Sequence, residues 1–415
     1  MVNATRAART TLLVLVGLPA VAGLAAATPP AAKIEKVAGP PMQTPARVLK
    51  PADGYYDDSF TLDPGGQRLA VIRTDGATFS IIEIIDVASG QIQRTVDLGK
   101  SDQQPESVEL LPDGKSILLV VRDGVTDRVW ASVIDETGHP VAKTTLFTAF
   151  GRADLPAGAR GVEPALVGLD ERGGGLGNLA AGGELGYTVS AYRLANLAPI
   201  GKPRSFRVGA GKELKGTDIT VSGFADGFTH LLGQRSGTYD KKQDLRRPSR
   251  IVVFDTLAGK VASEREIEDV YAWSRISKLR DGRPNRSAFA QVTADHDGVE
   301  IIDAAGKVAP AGLAVPFRLY DPASLKDQEG PEANTLYVSL AVDPVNPDAI
   351  ARQKTDTPVL DLYAVDLSTH KTRQRARILL ARPVLWKAGN GKLVVLKRFK
   401  SFPRGGDELD IYDLP

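Results

Sequence analysis

The chain has 415 residues, of which 42% are hydrophobic, 25% are charged and none is cysteine. That length supports a large buried core in one big domain or two ordinary ones, and the missing cysteines exclude disulfides and thiolate metal sites. A formal charge of +2 makes no global electrostatic case for a nucleic-acid partner.

The first segment reads as a targeting signal. Arg6 and Arg9 precede an apolar run, TLLVLVGLPAVAGLAAA, from Thr11 to Ala27, and Ala25 and Ala27 are small residues suited to a cleavage site. An uncleaved anchor is the alternative. The run is short for a membrane span and is broken by Gly17, Pro19 and Gly23. No cysteine follows that could carry a lipid. We expect residues 1–27 to be a signal peptide, which makes the product periplasmic or secreted, with no stable membrane insertion after cleavage. Removal takes away two arginines and no acid, so the charge falls from +2 to 0. Residues 28–45 are rich in Pro and Ala and read as an extended leader.

From residue 46 onward, helical periodicity is nearly absent. Short β-branched runs are cut by Gly, Asp, Asn and Pro at regular spacing, as in an all-β repeat architecture. The clearest unit is Phe60 to Gly99. A strand ends at Leu62, DPGGQ turns, RLAVIR is a second strand, TDGATFS a loop, IIEIIDV a third strand, ASG a turn and QIQRTVDL a fourth. Strands A to D of this unit recur from Glu106 to Phe147, with the turns PDGK and ETGH. A third unit spans Val162 to Gly209, with ERGGG as its A–B turn. The fourth runs from Thr217 to Glu268, the fifth from Tyr271 to Leu313 and the sixth from Val315 to Leu380. The seventh, PVLW to LDIYDLP, has only three strands, and ARVLK (Ala46 to Lys50) is placed to supply its fourth. The third strands end on Asp86, Asp135, Arg193, Asp255, Asp303, Asp366 and Asp413. Their recurrence points to turn building through Asx-type bonds, since a catalytic site needs few copies.

TLDPGGQRLAVIRTDG, ELLPDGKSILLVVRDG and IIDVASGQ resemble the phrases of the WD40-like β-propellers of bacterial exported proteins, the TolB-type and YVTN-type group. The match is good in the first two units and loose elsewhere, and no WD dipeptide occurs. The resemblance implies an all-β, seven-bladed β-propeller over residues 46–415, its last blade closed by an N-terminal strand. It also implies a binding platform, although some relatives are lactonases or quinone-dependent dehydrogenases.

The turns A–B and C–D are short and uniform and belong to one face. The B–C loops belong to the other and differ widely in length, so that face is where a specific function is expected. The fourth unit's loop carries Arg235, Lys241, Lys242, Arg246, Arg247 and Arg250, and the seventh unit's loop region carries Lys397, Arg398, Lys400 and Arg404. These charges read either as a docking patch for an acidic protein segment or anionic glycan, or as incidental charge on solvated loops.

Catalytic signals are weak. Asp295-His296-Asp297-Gly298 is too short for a calcium loop and suits a hairpin turn. His139 and His370 fall in C–D turns, His230 in a strand, and no HxH or HExxH pair occurs. GGGLGNLAAGG (173–183) lacks the GK[ST] ending of a phosphate loop. No catalytic residue, metal or cofactor is assigned. The expectation is an exported, monomeric, non-enzymatic propeller that binds an envelope or secreted protein through its long-loop face. A lactonase-like hydrolase with a channel site is the alternative.

Overall fold

The computed structural model describes residues 41–415 apart from 64, 77–78, 100–102, 112, 124, 127, 148–150, 155–164, 173–184, 209–216, 224–229, 236–238, 241–244, 247–248, 256, 259, 268–287, 293–297, 304–306, 315–324, 331, 333, 343–358, 380–384 and 398–407. Every regular element among the described residues is a strand.

The strands form antiparallel meanders in chain order. The first strand, β1 (Arg47–Leu49), belongs to the last sheet. The first sheet is β2 (Tyr55–Leu62), β3 (Arg68–Thr74), β4 (Ser80–Asp86) and β5 (Ile92–Asp97). The second is β6 (Gln103–Leu110), β7 (Ile117–Asp123), β8 (Val129–Ile134) and β9 (Pro140–Phe147). The third is β10 (Gly151–Asp154), β11 (Ala165–Arg172), β12 (Leu185–Arg193) and β13 (Arg204–Val208).

The fourth sheet is β14 (Thr217–Gly223), β15 (His230–Arg235), β18 (Ser249–Asp255) and β19 (Lys260–Ile267). Between β15 and β18 stands a separate small hairpin, β16 (Tyr239–Asp240) with β17 (Leu245–Arg246). The fifth sheet has three described strands, β20 (Ala288–Val292), β21 (Gly298–Asp303) and β22 (Val308–Ala314). The sixth is β23 (Leu325–Glu329), β24 (Thr335–Val342), β25 (Val359–Asp366) and β26 (Thr372–Leu379). The seventh is β27 (Leu385–Gly389), β28 (Lys392–Lys397), β29 (Glu408–Asp413) and, at its outer edge, β1.

The inner strands are apolar on both faces because each sheet is covered on both sides. In β4, Ile82 and Ile84 pack with Ile117, Leu119 and Val121 of the second sheet. Ile85, pointing the other way, packs with Val394, Leu409 and Ile411 of the seventh. The second sheet packs on the third through Leu118, Val120 and Leu166. The fifth packs on the sixth through Val299, Ile301, Leu336 and Val338. The sixth packs on the seventh through Leu360, Leu362, Leu393 and Val395. At these five junctions among the described residues, sheets that are consecutive in sequence pack together, and the last sheet returns to the first. This is a β-propeller: meander sheets set face to face in a circuit, with the fourth strands outermost. Seven is the number of sheets of three or four strands among the described residues.

The closing strand sits where the sequence places it. Arg47, Val48 and Leu49 pair with Ile411, Asp410 and Leu409, and Leu49 packs into the junction of the seventh and first sheets. One step earlier, Gln43 makes a parallel bridge to Ile378 and donates its amide to the Arg377 carbonyl at 2.8 Å. The N-terminal segment thus touches the outer strands of two successive sheets.

The third unit departs from the sequence expectation. Its first strand is Gly151–Asp154, and Ala165–Arg172, expected as the first strand, is the second. ERGGG therefore leads out of the second strand, and 173–184 is a B–C connection and not an A–B turn. The apolar pattern of ALVGLDER identified a strand but not its place in the unit. The preceding strand, GRAD, is too short and polar to show a strand period.

Candidate functional site

A meander of four strands puts A–B and C–D turns at one end and B–C and D–A connections at the other. The first end is built from repeated, self-satisfied turns. Asp63 Oδ1 accepts the amides of Gln67 at 2.7 Å and Arg68 at 3.0 Å. Asp86 Oδ1 accepts from the amide and hydroxyl of Ser89, both at 2.7 Å. Asp135 accepts from Thr137 and from the His139 amide. Asp255 accepts from Leu257 and Ala258, Asp303 from Lys307, and Asp366 from Ser368 and Thr369.

These donors stabilise the charged carboxylate. The Ser368 hydroxyl and neighbouring amides hold Asp366 down at about 2. Ser89 does the same in direction for Asp86, and Thr137 for Asp135. Such carboxylates are turn acceptors and poor proton donors. Arg193 needs no carboxylate, because Asn196 caps that turn by accepting the Ala198 amide at 3.0 Å. Asp413, which has no C–D turn to close, contacts Lys392 instead.

The opposite end carries the expected docking residues. Arg235 ends β15 and Arg250 lies in β18, and the register sets them directly opposite each other. Arg250 also faces Glu266 across β18 and β19. Arg246 lies in the added hairpin, opposite Tyr239. Lys241, Lys242 and Arg247 lie outside the described residues, as do Arg398, Lys400 and Arg404. Lys397 is described and is already engaged: it contacts Asp410 and lies 4.0 Å from Glu408, with its side chain 15% exposed. It is a neutralising cation within the sheet junction.

The histidines are dispersed. His139 is in a C–D turn with Nδ1 2.7 Å from the Thr137 hydroxyl. His370 occupies a C–D turn at φ 55°, and His230 lies in β15 opposite Asp255. His296 falls outside the described residues, together with the rest of the Asp295–Asp297 segment. Among the described residues no group of three His, Cys, Asp or Glu is placed to hold a metal ion.

One polar feature was missed in the sequence. At the B–C end, carboxylates sit inside the third strands and face back toward the preceding sheet. Glu83, 2% exposed, contacts Arg73. Arg73 also contacts Asp53 and stacks 5.2 Å from the Phe79 ring centroid. Asp361, 2% exposed, takes a two-pronged bond from Arg377, with both distances 2.7 Å.

Asp410, fully buried, contacts Lys397 and accepts the Tyr412 hydroxyl at 2.9 Å. Glu408, two residues earlier on the same side of β29, lies 3.6 Å from Lys50. Burial, followed by the charge of the neighbouring acid, pushes the phenols of Tyr56, Tyr363 and Tyr412 well above the ordinary range. The available signal was an acid three residues before the aspartate that ends the third strand, as in EIID at 83–86, EIID at 300–303 and DIYD at 410–413. A charge inside an apolar strand requires a partner when buried.

No family model matches the chain, and no curated protein matches it. Among solved structures it is similar to the RRP9 WD40 repeats, at 11% identity and TM-score 0.41, over 90% of this chain and 100% of that one. It is similar to the Dos1 propeller at 10% identity and TM-score 0.40, over 89% and 94%. It is also similar to Kuenenia stuttgartiensis hydrazine synthase at 15% identity and TM-score 0.37, over 80% and 97%. The fold assignment rests on the sheets and their packing, and likenesses this distant add no activity or partner to it.

Proposed function

We propose that the chain is an exported, non-enzymatic β-propeller that binds an envelope or secreted protein through its B–C/D–A face. The observation that carries this reading is the β16–β17 hairpin added between the second and third strands of the fourth sheet. A meander needs only a short turn there, so the extra chain serves something other than closing the sheet. Arg246 lies on that hairpin and Arg235 and Arg250 lie at its root. These positions bring cationic residues to that end of the sheet, the chemistry that an acidic segment of a partner would match. At the uniform end the turn carboxylates of Asp86, Asp135 and Asp366 are already taken by turn donors. Residues 1–27 supply the export reading.

The test is capture from the envelope fraction of the source cell, with the intact chain compared against R235Q/K241Q/K242Q/R246Q/R247Q. We expect a discrete acidic partner on the intact chain, lost from the substituted chain and weakened by salt. Equal capture by both chains overturns the proposed face. Turnover of lactones by the pure protein, abolished by chelation, overturns the non-enzymatic reading in favour of a hydrolase. N-terminal sequencing of the exported product should begin at Thr28, and an intact Met1 would remove the cleaved-signal reading.

A further inference from the structure

The ring closes on three residue pairs, Arg47–Ile411, Val48–Asp410 and Leu49–Leu409. Beside those pairs lies an unusual group. Glu408 and Asp410 project from the same side of β29, two residues apart, with side-chain exposures of 14% and 0%. Asp410 Oδ2 is taken by Lys397 and by the Tyr412 hydroxyl. Asp410 Oδ1 is buried and has no hydrogen-bond donor. A buried carboxylate oxygen without a donor is costly. The group placed to supply one is the Glu408 carboxyl, provided that it carries a proton.

We propose that Glu408 holds a proton that it donates to Asp410, and that this contact is a pH-sensitive latch on the ring-closing strand. With Glu408 neutral, its hydroxyl donates to Asp410 Oδ1, and one negative charge is balanced by Lys397. With Glu408 ionised, two carboxylates stand side by side in a largely dry junction, and the end of the seventh sheet that holds β1 is loosened.

The surroundings are consistent with this. Among the described residues, the charged groups acting on Glu408 are Asp410 from its own strand, Lys397 from β28 and Lys50 from the segment after β1. The sixth sheet presents apolar Leu360, Leu362, Ala376 and Ile378, the Ser339 hydroxyl and the Tyr337 phenol, which donates to Glu332 at 2.9 Å, to this side. Burial, then Asp410, raises the affinity of Glu408 for its proton, while Lys397 and Lys50 work against it. The sign follows from proton linkage. A carboxyl that holds its proton more tightly when folded contributes stability that is complete below its ordinary value of 4.5 and is lost as pH rises through the folded value. The turn aspartates act in the opposite direction.

The test uses the full chain and two readouts, the urea midpoint and amide exchange of the peptide containing Arg47–Leu49, between about pH 5 and about pH 8. The wild-type midpoint should fall with rising pH, and β1 exchange, corrected for its intrinsic pH dependence, should accelerate about tenfold for each unit by which the Glu408 value is raised. The E408Q chain should show neither trend, because its amide donates to Asp410 at every pH. Lys50 is 72% exposed, so K50M should fold normally; by removing a cation it should shift the wild-type transition to higher pH. Equal pH trends in wild type and E408Q, or no displacement in K50M, overturn the latch.

Discussion

Glycines with positive φ separate two costs that composition cannot distinguish. Gly54 has φ +64°, and a Cβ there would stand 2.3 Å from the Thr74 carbonyl oxygen, which is backbone and cannot rotate away. Gly99 has φ +75° with nothing within 4 Å of such a Cβ. Gly99→Ala should therefore cost about 1 kcal/mol, for the left-handed backbone alone. Gly54→Ala adds a backbone displacement and should cost about 2–4 kcal/mol. Urea midpoints of the two variants check the order. Gly54 lies in the D–A connection and its constraint is long-range, so nothing in PADGYY could rank it above Gly99.

At the scale of elements, the C–D turn is a unit that the sequence spells out. Asp, a Ser or Thr two or three positions on, and a residue tolerant of positive φ recur as DVASG, DETGH and DLSTH. The bonds are local, so their partners lie within four residues and the phrase itself carries the structure. The consequence is a defined pH dependence. Asp366 is lowered from 3.8 to about 2, so its contribution is complete above 3.8 and is lost as pH falls through about 2. Asp366→Ala should lower the melting temperature at neutral pH, and its deficit relative to wild type should shrink toward pH 2. A deficit constant across that range would mean that the carboxylate charge is irrelevant to the turn. The buried acids of the third strands are the opposite case. EIID and DIYD are legible as charges in apolar strands, but whether Arg73 or Lys397 meets them depends on strand register.

At the scale of the whole molecule, closure depends on a strand far from its partner in sequence. Deleting residues 41–50 removes β1, the Gln43 bridge to β26 and the apolar cover of Leu49 at once. The truncated chain should melt at a markedly lower temperature, and exchange should rise first in the Glu408–Asp413 strand. Unchanged protection of that strand would show that β1 is an ornament of the edge. The sequence by itself determined the all-β class, the meander unit, the turn chemistry and the strand that closes the last sheet. Each of these is written in a period or in contacts a few residues apart. It misassigned the first strand of the third unit, where a short polar segment carries no period. Only the tertiary structure decided which sheets face each other, which cations meet the buried acids and that Lys397 is held within a junction. Those depend on two faces of different sheets meeting across dozens or hundreds of residues, and no local pattern encodes which pair will meet.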